Sequence, residues 1–300
     1  MTALNSLALV QQALAQYDDA ETNYRSIREY DRERYGERHP YYATTLSNLG
    51  NLYVDRGNLP QAEELFKQGL NILKENNENQ FSYAIKLNNL ANVYRYQGET
   101  QKAIPLYQEA KDIFKSKVGQ GVQYATATFN LGQLYFQIND SKAKEELTQS
   151  LLLREKLFGR KHPAYAEVTR KLAELAWENK DTRTAERLFL QTFQNYVSQI
   201  DSYFPVLSEE EKSRFYYGKL KPVFEEFYSY LAENSNTNPS LISDAYNYQL
   251  RTKALTMYAT LKVRKAILNS GDAKLVSQFK EWISLKEQLS SLYNHVSENP

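Results

Sequence analysis

A repeat with a period of 41 residues constrains this sequence more than any other feature. Four segments share one pattern, in which a leucine is followed directly by a small residue: LSNLGNLYVDRGNLPQAEELF, LNNLANVYRYQGETQKAIPLY, TFNLGQLYFQINDSKAKEEL and TRKLAELAWENKDTRTAERLF. Their fourth residues are Leu49, Leu90, Leu131 and Leu172, so each step along the chain is 41 residues. A fixed period in this range is typical of solenoids and related repeat architectures.

Each unit predicts two helices joined by a turn. In the first helix, Leu49 and Tyr53 lie four residues apart on one face. A small residue follows the leucine in every unit, and we expect it to let the partner helix approach closely: Gly50, Ala91, Gly132 and Ala173. The second helix places a small residue four positions before a large one: Ala62/Phe66, Ala103/Tyr107, Ala143/Leu147 and Ala185/Phe189. A weaker copy at Leu7, Ala8, Tyr17, Ala20 and Tyr24 gives five helix pairs over about residues 1–198.

This pattern resembles the tetratricopeptide repeat. The long period and the connectors YGERHPYYA and FGRKHPAYA resemble the kinesin-light-chain-like variety. The resemblance implies an all-α fold, a right-handed α-solenoid over residues 1–198 followed by a helical module over residues 199–300. His39–Pro40 and His162–Pro163 predict a helix end followed by a new helix start, because proline disfavours helix in the residue before it.

The first helices of such an array line a concave face. Polar residues recur on this face at helical spacing, and most of them are amides, which both donate and accept hydrogen bonds. We therefore predict a groove for a peptide or protein partner, with Tyr96 as an amphipathic ring contact. We expect Arg170 and Lys171 to add positive charge at the C-terminal end of this groove. The alternative is that the amides only tie neighbouring helices together. The predicted groove residues are Asn48, Asn51, Asn88, Asn89, Asn92, Arg95, Tyr96, Asn130, Gln133, Gln137, Arg170 and Lys171.

The repeat stops after about residue 198, and a helical hairpin is predicted near the C-terminus. Its last helix has a continuous apolar seam, made of Leu275, Phe279, Trp282, Leu285, Leu289 and Leu292. The segments FPVLSEEEK, YNYQLRTKALTM and EWISLKEQLSSLY resemble the region before the catalytic domain of bacterial tetratricopeptide–CHAT proteins, whose CHAT domain is a caspase- and separase-like cysteine protease. The resemblance implies that this chain is the sensing arm of such a protease and that the seam packs on the protease domain.

The composition excludes several other functions for these 300 residues. The chain has no cysteine and three histidines, so we expect no cysteine nucleophile, metal site or cofactor. Lys+Arg (37) and Asp+Glu (36) are balanced, which argues against a nucleic-acid binder. No apolar run is long enough for a membrane span. We predict a cytoplasmic interaction scaffold with no catalytic residue of its own, and the second hypothesis is a free-standing peptide-binding adaptor.

Overall fold

A computed structural model of the chain describes residues 2–13, 16–76, 80–203, 212, 215–234, 241–250, 264–265, 267–281 and 283–284. The repeat region is a succession of helices. They are α1 (Thr2–Ala13), α2 (Tyr17–Tyr35), α3 (Pro40–Asp55), α4 (Leu59–Asn76), α5 (Gln80–Tyr96), α6 (Thr100–Val118), α7 (Val122–Gln137), α8 (Lys142–Phe158), α9 (Pro163–Glu178) and α10 (Thr182–Tyr203). The predicted all-α solenoid is confirmed.

Helices α1 to α8 form four hairpins in which each helix packs on the next along the chain. The first helices of successive hairpins also touch, since α3 contacts α5 and α5 contacts α7. These helices therefore lie side by side and form one continuous surface, which we call the first-helix face. The predicted side-by-side placement of the first helices is confirmed for α3, α5 and α7, and that they line a concave face stays a prediction.

In two of the repeat units, the small residue beside the repeat leucine allows close packing of the paired helices, as predicted. A Cβ atom on Gly50 would lie 2.9 Å from Cε1 and Cζ of Phe66 in the paired helix. A Cβ on Gly132 would lie 3.0 Å from Cγ of Leu147. Phe66 and Leu147 are both fully buried, so these contacts form the centre of their hairpins.

Core tyrosines are anchored by carboxylates that the sequence pattern did not indicate. The Tyr53 hydroxyl donates to Glu21 at 2.7 Å, and the Tyr94 hydroxyl donates to Glu63 at 3.2 Å. Each glutamate follows the small residue of the preceding second helix, Ala20 or Ala62. These bonds give a hydrogen-bond partner to hydroxyl groups that would otherwise be buried without one when the rings pack in the core.

The two His-Pro connectors start helices, as predicted. Nδ1 of His39 accepts a hydrogen bond from the Tyr41 amide at 3.1 Å, and Pro40 is the first residue of α3. His162 caps α9 in the same way, through the Ala164 amide at 3.1 Å. Proline suits this first helical position because its missing N–H has no helical partner there.

The chain divides into two compact units. One comprises Met1–Arg160 and Glu167–Asn179, and the other comprises Lys161–Ala166 and Lys180–Pro300. In the second unit, a π-helical turn at Tyr216–Leu220 leads into α11 (Lys221–Asn234), and residues 241–250 and 273–281 are also helical. Its core is aromatic: the Phe193 ring lies 4.7 Å from Phe224 and 5.2 Å from Phe227. The predicted boundary at residue 198 stays a prediction.

Candidate functional site

All twelve predicted groove residues lie on α3, α5, α7 or α9. The side chains of these residues differ in how exposed they are to solvent. Asn88 and Asn130 are buried, most of the others are half-buried, and Tyr96 and Gln137 are exposed. A polar residue on this face therefore serves either the packing of the helices or a contact with a partner, and its hydrogen bonds distinguish the two roles.

Three asparagines spaced 41 residues apart each bond to the preceding first helix. Nδ2 of Asn48 donates to Asn5 at 2.8 Å, Nδ2 of Asn89 donates to Asn51 at 3.2 Å, and Nδ2 of Asn130 donates to Asn88 at 3.1 Å. We call these bonds the amide rungs. They join α1, α3, α5 and α7 in series.

The rungs support the alternative that amides tie neighbouring helices together, most directly for the buried pair Asn88 and Asn130. An asparagine carries two N–H donors and an oxygen with two lone pairs, so one rung does not exhaust it. The half-buried members Asn48, Asn51 and Asn89 retain hydrogen-bonding capacity toward the first-helix face. Asn5 was missed at the sequence level, because it lies 43 residues before Asn48 and is out of register with the 41-residue period.

A second arrangement, the central cluster, consists of Asn92, Arg95, Tyr96 and Tyr107. The buried Tyr107 hydroxyl donates to Oδ1 of Asn92 at 2.5 Å. The Arg95 guanidinium lies 4.5 Å from the centre of the Tyr96 ring, and Tyr96 is 54% exposed. Burial raises the pKa of Tyr107 and the Arg95 charge opposes that shift, so the phenol stays protonated.

This geometry orients the Asn92 amide. With Oδ1 held by Tyr107, the Nδ2 hydrogens are left as donors, and no described side chain accepts from them. Nε of Arg95 is likewise buried without a hydrogen-bond partner in the described part of the chain. The buried Arg95 Nε is out of reach of a ligand, so the central cluster offers the Asn92 amide donors beside an exposed aromatic ring. This combination suits a ligand that has oxygen acceptors and an apolar group.

The C-terminal end of the first-helix face is less positive than the sequence indicated. Nζ of Lys171 lies 2.6 Å from Glu174, and Nε of Arg170 lies 3.4 Å from the same carboxylate. Glu174 therefore offsets part of the charge that Arg170 and Lys171 were expected to supply. Nζ of Lys171 also lies 5.6 Å from the centre of the Phe136 ring on α7.

Sequence reasoning also missed a buried lysine in α5. Lys86 is 3% exposed, and its Cε would lie 3.4 Å from a Cβ placed on Gly69 of α4. Burial lowers the pKa of Lys86 to about 8. One period away, the same interior position holds Thr45 and Ala127, which are also buried. Lys86 thus occupies a packing position and not the groove.

The predicted apolar seam falls only partly within the described residues. Leu275 is exposed and Phe279 is half-buried, while Trp282, Leu285, Leu289 and Leu292 lie outside the described residues.

The second compact unit has another apolar surface. Ile242, Tyr246 and Leu250 lie four residues apart on one helix face and are all exposed, and we call them the outer stripe.

Comparison with known proteins agrees with this architecture. Residues 1–75 and 82–143 match the family described as tetratricopeptide repeat. A crystal structure of a putative kinesin light chain with nearly identical TPR-like repeats from Podosopora anserina is similar at a TM-score of 0.55 and 20% identity, over 66% of this chain and 95% of that one. BtubC (BKLC) from P. vanneervenii is similar at a TM-score of 0.55 and 17% identity, over 87% of this chain and 92% of its own.

These structural likenesses establish the fold of the repeat array. No curated protein sequence matches the chain. Among the described residues, no helix is long and apolar enough to cross a bilayer. No group of three or more His, Asp or Glu side chains in that part of the chain is arranged to hold a metal ion.

Proposed function

We propose that this chain is a cytoplasmic interaction scaffold whose first-helix face binds an extended or helical segment of a partner protein at the central cluster. The observation that supports this most strongly is the fixed Asn92 amide, whose unused donors lie one helical turn from the exposed Tyr96 ring. Tetratricopeptide repeats are built to present such a surface, because stacking of helix pairs leaves one side of each first helix uncovered.

The chemistry of the cluster defines the kind of segment that fits. The Asn92 donors match backbone carbonyl oxygens, and the Tyr96 ring offers contact area at a low cost in side-chain entropy. Arg95 adds a cation that interacts with a carboxylate or an aromatic group. Gln133 and Gln137 on α7 extend the polar surface, and the half-buried rung residues of α3 extend it on the other side.

Selection of binders from a random peptide library displayed on phage tests this proposal. We expect selected peptides to bind the wild-type chain and to lose at least about tenfold in affinity for the double variant Asn92→Ala/Tyr96→Ala, which removes one hydrogen-bonding amide and one ring. Circular dichroism should show unchanged helicity, because both side chains are at least partly exposed.

A matched control replaces the same two residue types elsewhere. Asn71 on α4 and Tyr41 at the start of α3 are exposed and lie outside the predicted groove. The variant Asn71→Ala/Tyr41→Ala should bind like the wild type. Selected peptides that bind both double variants with wild-type affinity would show that the groove assignment is wrong.

We further propose that the scaffold is the sensing arm of a CHAT-type cysteine protease, with the C-terminal module relaying partner binding to the protease. The outer stripe supports this proposal, because contiguous exposed apolar residues on one helix face are typical of a docking surface. Exposed Leu275 at the start of the predicted seam adds to it. The alternative is a free-standing adaptor that needs no covering domain.

The reading frame downstream of Pro300 distinguishes the two. Continuation into a domain with a histidine and a cysteine in a caspase-like setting supports the sensing arm. Termination close to Pro300 overturns that assignment and leaves the adaptor. The peptide-binding proposal is independent of this outcome, since it depends on the first-helix face alone.

A further inference from the structure

The first-helix face has very few charges, although charged residues make up 24% of the chain. Helix α7 has no charged residue along its length, and α3 has only Asp55, its last residue. Helix α5 has two, Lys86 and Arg95, and Lys86 is buried. The structure describes these three helices in full, so the uncovered surface of α3, α5 and α7 carries one carboxylate and one guanidinium.

The second helices show that this lack of charge is a property of the face and not of the whole array. Glu64 and Lys67 of α4 are exposed, and so are Lys102 and Glu109 of α6. Helices α2 and α8 likewise carry exposed side chains of both signs. The array thus has its charges on the second helices, whereas the first-helix face owes its polarity to amide and hydroxyl groups.

The two charges on the face lie near the C-terminal ends of their helices, and both already have contacts. The Asp55 carboxylate accepts a hydrogen bond from Nε2 of Gln12 at 2.6 Å. The Arg95 guanidinium lies 4.5 Å from the centre of the Tyr96 ring. A guanidinium is weakly hydrated and stacks on aromatic rings. Of the two groups that suit Arg95, an aromatic side chain therefore matches this pair better than a carboxylate does.

A surface of this kind discriminates against charged partners. A charged side chain that is laid on it loses water and finds no counter-ion, and burial of an unpaired charge is unfavourable. Amide and hydroxyl side chains instead exchange hydrogen bonds with half-buried amides such as Asn51, Asn89 and Gln133. Exposed Val122 adds an apolar contact on α7. Rejection of unsuitable partners is one of the two ways in which an interface becomes specific.

We propose that the segment bound on the first-helix face is uncharged where it crosses α3, α5 and α7, with amide, hydroxyl and apolar side chains and an aromatic residue beside Tyr96. This inference rests on the proposed function and specifies its partner. Neighbouring helix axes lie about 8–10 Å apart, so the three helices span roughly 20 Å. An extended segment, at about 3.3 Å per residue, needs on the order of six residues to cross them.

The sequences of the phage-selected peptides test this proposal. Only peptides that lose affinity for Asn92→Ala/Tyr96→Ala count, because these bind at the central cluster. We expect them to share a window of about six residues in which Asp, Glu, Lys and Arg are at least about tenfold rarer than in the unselected library.

Two measurements on one such peptide sharpen the test. Raising NaCl from about 50 mM to about 500 mM should change its dissociation constant by less than about twofold, because salt screens interactions between charges. Single replacements by glutamate or lysine within the window should weaken binding at least about tenfold. Glutamine is the matched control for glutamate at each position, because it has nearly the same size without the charge.

Gln133→Lys is the matched control on the protein, because it adds one cation to the uncharged helix α7. Gln133 is half-buried, and circular dichroism should confirm that the variant folds. Selection on this variant should enrich Asp and Glu within the window. Enrichment on the variant and not on the wild type supports the proposal, since it shows that the charge of the face determines the composition of the peptide.

The outcomes separate this proposal from the proposed function. Peptides that need Asn92 and Tyr96 but carry charged residues at the frequency of the library would overturn the uncharged segment and leave the binding site intact. Binding that weakens steeply with salt would do the same. A selection in which every peptide binds Asn92→Ala/Tyr96→Ala like the wild type would overturn the site, and the uncharged segment with it.

Discussion

At the scale of single residues, Lys86 is the side chain with the clearest energetic consequence. It is buried in the repeat interior, and burial lowers the pKa of its amine to about 8, from the 10.5 of an unperturbed lysine. Between these values the unfolded chain binds a proton that the folded chain does not. Stability therefore rises as the pH increases from about 8 to 10.5, and at neutral pH the folded state holds a buried charge.

Lys86→Met is expected to stabilise the protein at pH 7, by up to about 3 kcal/mol, because methionine fills a similar space without charge. The gain should shrink toward pH 10, where the folded wild-type amine is neutral. Urea unfolding of both proteins at the two pH values measures the difference. Lys67→Met, on the exposed surface of α4, is the control and should show no such pH-dependent gain. Equal stability of Lys86→Met and the wild type at both pH values would contradict the buried charge.

At the scale of helices, the amide rungs and the glycine contacts hold successive first helices and paired helices together. The buried Asn88–Asn130 rung links α5 to α7. Replacing either residue by alanine leaves the other without its partner, which is expected to cost about 1–3 kcal/mol. The double variant should cost less than the sum of the two, with a coupling of about 1 kcal/mol.

Chemical denaturation of the wild type, Asn88→Ala, Asn130→Ala and the double variant completes this cycle. Asn71→Ala on the exposed side of α4 should leave stability unchanged. Additive effects of Asn88→Ala and Asn130→Ala would argue that the rung contributes nothing to stability. Those two asparagines would then become stronger candidates for partner contacts.

The approach of α3 to α4 depends on Gly50. A Cβ at this position would lie 2.9 Å from the buried Phe66 ring, so Gly50→Ala is expected to destabilise the protein by about 1–3 kcal/mol. Adding Phe66→Leu should recover part of that loss if steric conflict causes it. Thermal unfolding of the three proteins is the measurement, and a Gly50→Ala variant as stable as the wild type would show that the ring moves aside freely.

The sequence predicted the repeat core well, because the leucines and small residues that define the repeat are the same residues that pack in the core. Leucines such as Leu49 recur at one position and are buried, and Gly50 lies where a ring comes close. The hydrogen-bond partners of the amides were not predictable, since the Asn5–Asn48 rung depends on how neighbouring helices align.

Lys86 was missed because lysine is almost never fully buried. The charge of Arg170 and Lys171 was overestimated because Glu174, one helical turn away, pairs with both.

At the scale of the whole molecule, the chain combines a regular array with a module that has its own aromatic core. Periodicity identified the array over most of its length, whereas the C-terminal module has no repeat and was interpreted through a family resemblance. The 41-residue period did not indicate that α10 belongs to the same compact unit as the helices that follow it. In the function that we propose, the array binds a partner and the module docks a further domain through the outer stripe.

The central claim is that a partner lies on the first-helix face beside Tyr96. Photo-cross-linking tests it most directly, because a single benzophenone can be attached to a cysteine-free chain at Gln137→Cys, on this face, or at Asn71→Cys, on α4. With a peptide selected from the phage library, we predict a cross-link at position 137 and none at position 71. A peptide that cross-links at position 71 and not at position 137 would contradict the account.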